Sequence, residues 1–161
     1  MQPESESCDR VSAAASTLRT AVESDAAELA RLTAQLGYPA DAAAMRTRLA
    51  RLRAGANDCV LVVARPDGGL AGWIHGTLVQ LLESPLRVEI GGLIVDEAWR
   101  RRGLAGRLVA GLEAWAVAQG AAELSVRCRE DRAEAHAFYE RMAFRFTKTQ
   151  RVFRKKLVAA G

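Results

Sequence analysis

The chain has 161 residues, 50% apolar and 26% charged, with a formal net charge of +4. That length suits one domain able to bury about 70% of its unfolded surface, and the composition is that of a soluble globular protein. No apolar run approaches the roughly 20 residues of a membrane span. The modest charge with few aromatics does not imply nucleic-acid binding. Cys8, Cys59 and Cys128, with no Cys-x-x-Cys spacing, indicate neither a disulfide framework nor a zinc site.

In chain order, residues 1–16 are polar and lack the basic start and apolar core of a signal peptide, so they read as a loose tail on a cytoplasmic protein. Residues 17–161 are expected to form a single domain. Residues 17–22 form a first strand. The helix after it is expected to be capped by Ser24 or Asp25, with Glu28 completing a capping box, and to turn Leu29, Leu32 and Leu36 inward. Gly37-Tyr38-Pro39 stops it. A second helix begins near Asp41, with Met45, Leu49 and Leu52 inward and Arg46, Arg48, Arg51 and Arg53 in solvent. Strands over 59–64 and 70–81 are joined by Pro66-Asp67-Gly68-Gly69, a hairpin signal. A third strand, 86–95, contains Gly91-Gly92, where a bulge or close backbone approach is expected. The helix over 103–119 buries Leu104, Leu108, Leu112 and Trp115 and ends at Gly120. A strand over 122–128, a short helix carrying Phe138-Tyr139, and a closing hairpin over 144–157 turning near Lys148-Thr149 complete the chain.

The junction of the third strand and third helix carries the chemistry. After Leu93-Ile94-Val95 comes Arg100-Arg101-Arg102-Gly103-Leu104-Ala105-Gly106, and a helix starts at once. Small residues there leave little between a bound anion and the first helical amides. Those amides lack intrahelical partners, and the helix dipole adds roughly half a positive charge. The arrangement suits a pyrophosphate. The plain alternative is a strand-to-helix turn with a solvated basic collar. Neither a nucleotide P-loop nor a dinucleotide fingerprint is present, for want of Gly-Lys-Ser/Thr or of three spaced glycines.

The pattern Arg-x-x-Gly-x-Ala over residues 100–105 resembles the acetyl-CoA-binding motif of the GNAT superfamily of N-acetyltransferases. Ala133-Glu-Ala-His-Ala-Phe-Tyr-Glu-Arg-Met-Ala-Phe144 resembles the family's second signature, in the right order. The resemblance covers residues 17–157. It implies an α/β (α+β) GNAT fold: a mixed central sheet of about seven strands, splayed parallel middle strands, and four helices. It also implies acetyl-CoA as co-substrate. Leu93 and Val95 would pair with its pantetheine arm, and Arg100, Arg101, Arg102, Gly103, Ala105 and Gly106 would hold its pyrophosphate.

Acetyl transfer to an amine needs a neutral amine, a stabilised oxyanion and a proton for the departing thiolate. An alkylammonium has a pKa near ~10.4, so a base must help at neutral pH. Glu89 resembles in position the strand-borne glutamate that several GNAT enzymes use as general base; a surface glutamate is the bland reading, and Glu83 and Glu97 are weaker candidates. Tyr139 matches the family's general-acid tyrosine, its alternative being a core aromatic. The oxyanion falls to a backbone N–H of Leu93–Val95. His75 and His136 have no partner that sequence identifies and make no metal site. Cys128 reads as a small core residue. The chain departs from the family pattern at Ala105, at Ala143 where glycine usually ends the Phe-Tyr helix, and at residues 129–132, where an asparagine is often found.

The expected activity is transfer of the acetyl group of acetyl-CoA to a primary amine of a small molecule, by direct attack in a ternary complex. Tyr38 and Trp73 are expected on the acceptor side. The partner expected is a small amine, with pairing to a second copy of the chain left open, and no nucleic acid, membrane or metal. Acetylation of a protein N-terminus or lysine, and a non-catalytic acyl-CoA-binding module, are the alternatives.

Overall fold

The computed structural model describes residues 15–158; residues 1–14 of the tail expected over 1–16 lie outside them. Two compact units are present, the first ending at Arg127 and the second beginning at Cys128. The first holds a sheet in the order β1 (Thr17–Thr20), β2 (Asp58–Ala64), β3 (Leu70–Leu81), β4 (Ser84–Val95), β5 (Glu123–Val126). The pairs β1–β2, β2–β3 and β3–β4 are antiparallel, and β4–β5 is parallel. Parallel neighbours need a crossover, and α3 (Leu104–Ala118) supplies it. Helices α1 (Ala26–Gln35) and α2 (Ala42–Ala54) lie between β1 and β2 in sequence. Among the described residues no helix is long and apolar enough to cross a membrane.

Side chains alternate across a strand, so the faces follow from register. Val60 and Val62 of β2 and Trp73 of β3 share a core cluster with Leu29, Leu32 and Leu36 of α1 and Met45, Leu49 and Leu52 of α2. On the other face, a Cβ built at Gly72 would meet Leu108, and one at Gly76 would meet Leu112 at 2.6 Å. Glycine at position 76 is thus what lets α3 lie close to β3. Leu104, Leu108, Val109, Leu112 and Ala116 are buried along α3, while Trp115, expected inward, is only half-buried.

Asp41 caps α2 as expected, accepting from the Ala44 amide at 2.7 Å, and its arginines are exposed. The start of α1 differs. Asp25 sits in a 3₁₀ turn (Glu23–Asp25) and its carboxylate accepts from the Val22 amide at 2.8 Å and from both terminal nitrogens of Arg19. Glu28 accepts from Arg31 and from the Leu70 amide at 2.9 Å. Charged donors outcompete a helical amide for these oxygens, so the expected capping box does not form.

The hairpin at Pro66–Gly69 forms, with Asp67 accepting from the Gly69 amide at 3.0 Å. The bulge expected at Gly91-Gly92 is present: His75 faces Gly92 but Gly76 faces Ile90, leaving Gly91 as the extra residue. Helix α3 ends in a Schellman motif. Left-handed Gly120 donates to Val117, and Ala121 donates to Ala116, both at 3.0 Å.

The second unit contains α4 (Ala133–Arg141), which ends in the same motif. Ala143 is left-handed at φ 65° and donates to Glu140, Phe144 donates to Tyr139, and the Phe144 and Tyr139 rings meet edge to face at 5.2 Å. The closing hairpin does not form. Residues 145–158 are exposed and carry no strand, so five strands are described where about seven were expected. The segment's apolar alternation is interrupted by six cations, from Arg145 to Lys156, and a lone two-stranded hairpin is marginal in water.

Candidate active site

The loop after β4 is anchored at its start by buried Asp96. Asp96 accepts from Arg31 at 2.7 Å and from the Ala98 amide at 3.1 Å, which starts a 3₁₀ turn (Glu97–Trp99). Burial works against the Asp96 carboxylate's charge, but Arg31 and the Ala98 amide outweigh it and hold its pKa low. Arg31 also donates to Glu28 and to the Leu70 carbonyl, so it ties α1 to β3 and to the loop's entrance. Gln35 of α1 accepts from the Glu97 amide.

Two left-handed residues follow, Arg101 at φ 61° and Gly103 at φ 74°. An arginine in that conformation costs of the order of 1–2 kcal/mol, strain of the kind found at functional loops. Gly103 is the N-cap of α3 and has no side chain to offer the helix. The first helical bond runs from Arg107 to the Gly103 carbonyl at 3.1 Å, so the amides of Leu104, Ala105 and Gly106 precede the ladder. Nothing lies within 4 Å of a Cβ built on Gly103, which leaves open space at the helix start. Of the arginines, Arg100 and Arg101 are exposed, Arg102 stacks over Trp99 at 4.7 Å and donates to the Ala98 carbonyl, and Arg107 donates to Ser16, which is buried. Ser16 is the last residue of the expected tail.

Leu93 and Val95 border a gap in the sheet. The β4–β5 ladder runs from Arg87 opposite Glu123 to Ile90 opposite Val126 and stops there, at the bulge. Beyond it, residues 92–95 pair only with β3, opposite His75 to Gly72. Among the described residues their other backbone edge carries no strand ladder, only a long bond from Arg100 Nε to the Val95 carbonyl at 3.4 Å, and it leads directly to the loop. This is the expected splay of the parallel strands.

A polar row crosses the sheet just before the gap. Asp58, Thr77, Glu89 and Ser125 are consecutive register partners on β2, β3, β4 and β5. Thr77 donates to Asp58 Oδ1 at 2.7 Å, and His75 Nε2 lies 2.8 Å from the same oxygen. Glu89, one-fifth exposed at its side chain, accepts from Arg127 Nε at 2.9 Å and from its Nη2. Neither Asp58 nor Arg127 was anticipated as a partner from the sequence. Glu83 is exposed in the β3–β4 turn and Glu97 is exposed in the 3₁₀ turn, away from this row.

Trp73 lies on the same face but packs into the core cluster, and a Cβ at Gly92 would strike its ring at 2.6 Å. Its Nε1 is buried without a hydrogen-bond partner among the described residues. Tyr38 is 67% exposed in the turn after α1. In the second unit, burial pushes the Tyr139 hydroxyl up to about 12, with Cys128 adding to the effect and Arg132 opposing it. His136 Nε2 lies 2.9 Å from the Arg129 carbonyl. Burial pushes the Cys59 thiol up to about 11 and also raises that of Cys128, so neither is an activated nucleophile. Among the described residues no cluster of ligands could hold a metal ion.

Comparison with known proteins places the fold in a family. Residues 24–144 match the model of the acetyltransferase (GNAT) family. An aminoglycoside N(6')-acetyltransferase type 1 of Stenotrophomonas maltophilia is 30% identical over 149 residues, which cover 90% of this chain and 96% of that protein. The fold is shared with the aminoglycoside antibiotic 6'-N-acetyltransferase AAC(6')-Ih of Acinetobacter baumannii, at TM-score 0.78 and 18% identity over 88% of this chain and 99% of that one. It is shared also with glucosamine-6-phosphate N-acetyltransferase of Arabidopsis thaliana, at TM-score 0.77 and 17% identity over 88% and 99%. The chain therefore belongs to the GNAT acetyltransferase family and is an acetyl-CoA-dependent N-acetyltransferase.

Proposed function

We propose that the acceptor is a small, multiply charged amine of the aminoglycoside type, acetylated by direct attack within a ternary complex. The observation that carries this reading is the polar row with its two carboxylates, Asp58 and Glu89, beside the end of β4 that β5 leaves unpaired, in a chain whose curated relative acts on aminoglycosides. In this reading the amides of Leu104, Ala105 and Gly106, with Arg100, Arg101 and Arg102 around them, hold the pyrophosphate, and residues 93–95 pair with the pantetheine arm. That brings the thioester to the bulge. Glu89 draws the ammonium by charge and offers one route for its proton, directly or through one water. The amine nitrogen bonds to the thioester carbon, a backbone N–H of residues 93–95 stabilises the oxyanion, and the carbon–sulfur bond breaks.

Tyr139 is assigned the proton for the departing thiolate. Its raised pKa keeps the phenol protonated through neutral pH, so the donor form is fully populated. Attack without a covalent acetyl-enzyme fits the raised thiols of Cys59 and Cys128. Incubation with acetyl-CoA and neamine tests the proposal. Free thiol and singly acetylated neamine are expected together. Acetylation confined to peptides would move the acceptor to proteins, and tight acetyl-CoA binding with no acetylated amine would make this a binding module.

A further inference from the structure

We propose that His75, oriented by Asp58, is a proton acceptor of the same site, a catalytic group beyond Glu89; the inference rests on the proposed acetylation of a small amine. His75 and Asp58 are on neighbouring strands, with side chains 23% and 17% exposed. An imidazole in its neutral form has one N–H, and a carboxylate on one ring nitrogen decides where it sits. Asp58 Oδ1, 2.8 Å from Nε2 and also accepting from Thr77, holds the proton on Nε2. Nδ1 is left as the acceptor.

That nitrogen faces the bulge. A Cβ built at Gly91 would lie 3.1 Å from His75 Nδ1, and the residue there has no Cβ and is itself exposed. A glycine in the bulge therefore opens a path from Nδ1 to the place where the β4–β5 ladder ends. Glu89 shares the face but its Oε1 already accepts from both Nε and Nη2 of Arg127, which ties it to that guanidinium. The charged groups on this face are thus Asp58 on β2, Arg87 and Glu89 on β4 and Glu123 on β5, with Arg127 bonded to Glu89. The helices over the face contribute Leu36, Met45 and Leu52 to the core cluster.

The step balances. One proton of the ammonium passes to His75 Nδ1, and the freed pair forms the nitrogen–carbon bond. The carbon–sulfur pair leaves with sulfur, which ends protonated in place of the amine's second proton; the third stays on the amide. The proton on His75 returns to solvent, and Asp58, which touches no substrate, stabilises the imidazolium as a positioning residue.

The test is the pH profile of kcat and KM for acetyl-CoA with neamine, in the wild type and in His75→Gln, Asp58→Asn and Glu89→Gln. His75→Gln should lower kcat about 100-fold or more near neutrality, abolish the acid limb, and leave acetyl-CoA affinity by calorimetry unchanged. Asp58→Asn, which removes the carboxylate that orients the ring, should lower kcat while leaving acetyl-CoA affinity unchanged. Glu89→Gln should raise the KM for neamine more than it lowers kcat. Nitrogen-15 NMR gives a readout independent of turnover, since the chain has two histidines and His136 serves as reference. The Nε2–H tautomer should dominate at His75 and be lost in Asp58→Asn, which also decides the matter should His75→Gln fail to fold. An Nδ1–H tautomer, or an active wild type whose acid limb survives His75→Gln, overturns the proposal while leaving the acetyltransfer reading intact. A wild type that acetylates no amine overturns both.

Discussion

The two faces of the sheet are built from the same strands and differ in kind. Beneath α3, Gly72 lies against Leu108 and Gly76 against Leu112, and Ile74, Val88, Leu108 and Leu112 are fully buried. Under α1 and α2 the face is equally apolar from Val62 to Trp73. From two residues along, it turns polar at His75 and then at Asp58, Thr77 and Glu89, all partly exposed. A polar group under a helix costs desolvation, so chemistry is confined to the end of one face, where the bulge opens the sheet. The other face supplies the rigidity that keeps that end in register.

Substitutions should separate accordingly. Leu112→Ala empties a fully buried site and should cost about 2–5 kcal/mol in denaturant unfolding, with catalytic constants of the folded fraction unchanged. Gly76→Ala drives a methyl into Leu112 and Val88 at 2.6–2.9 Å; about 1–3 kcal/mol should be lost, mostly through strain on α3. Tyr139→Phe, outside the sheet, should change stability little while turnover drops tenfold or more. The drop should shrink with a thioester whose thiol has a low pKa. An unstable but fully active variant would make the phenol a packing group.

Smaller effects concern ends and charges. Ala143→Gly relieves a left-handed alanine and should stabilise by about 1 kcal/mol in thermal or chemical unfolding. Stability should also fall in acid. Glu28 is held low chiefly by Arg31, and in Asp25 and Asp96 burial opposes ionisation but Arg19 and Arg31 outweigh it. Depressed carboxyls contribute stability above the unfolded value near ~4 and lose it as pH falls through their folded values. Melting temperature against pH checks this, and Asp96→Asn should flatten the curve.

Much of this was legible in the sequence because it is local. The arginine–glycine loop, the glycine bulge, the Pro66–Gly69 turn and the Phe-Tyr helix each depend on residues a few positions apart. The Asp58–His75 pair was not legible. Counting back from the hairpin would pair Asp58 with Gly76, since the register slips between Val63 and Ala64. A slip of one residue moves a side chain to the opposite face. The Glu89–Arg127 pair spans a parallel crossover, whose register no turn fixes. The closing hairpin expected over residues 144–157 does not form among the described residues, because nothing in that local stretch fixes a partner for it.

The account depends most on the loop between β4 and α3 holding the phosphates of acetyl-CoA, and calorimetry on two substitutions at one position tests it. Asparagine tolerates the left-handed conformation of Gly103 and adds no charge, whereas glutamate places a carboxylate at the amides of Leu104, Ala105 and Gly106. Wild type and Gly103→Asn should bind acetyl-CoA with a Kd between about 1 µM and 1 mM, and Gly103→Glu, folded by its melting curve, should show no binding. Equal affinity in all three would place the cofactor's phosphates elsewhere and contradict the account.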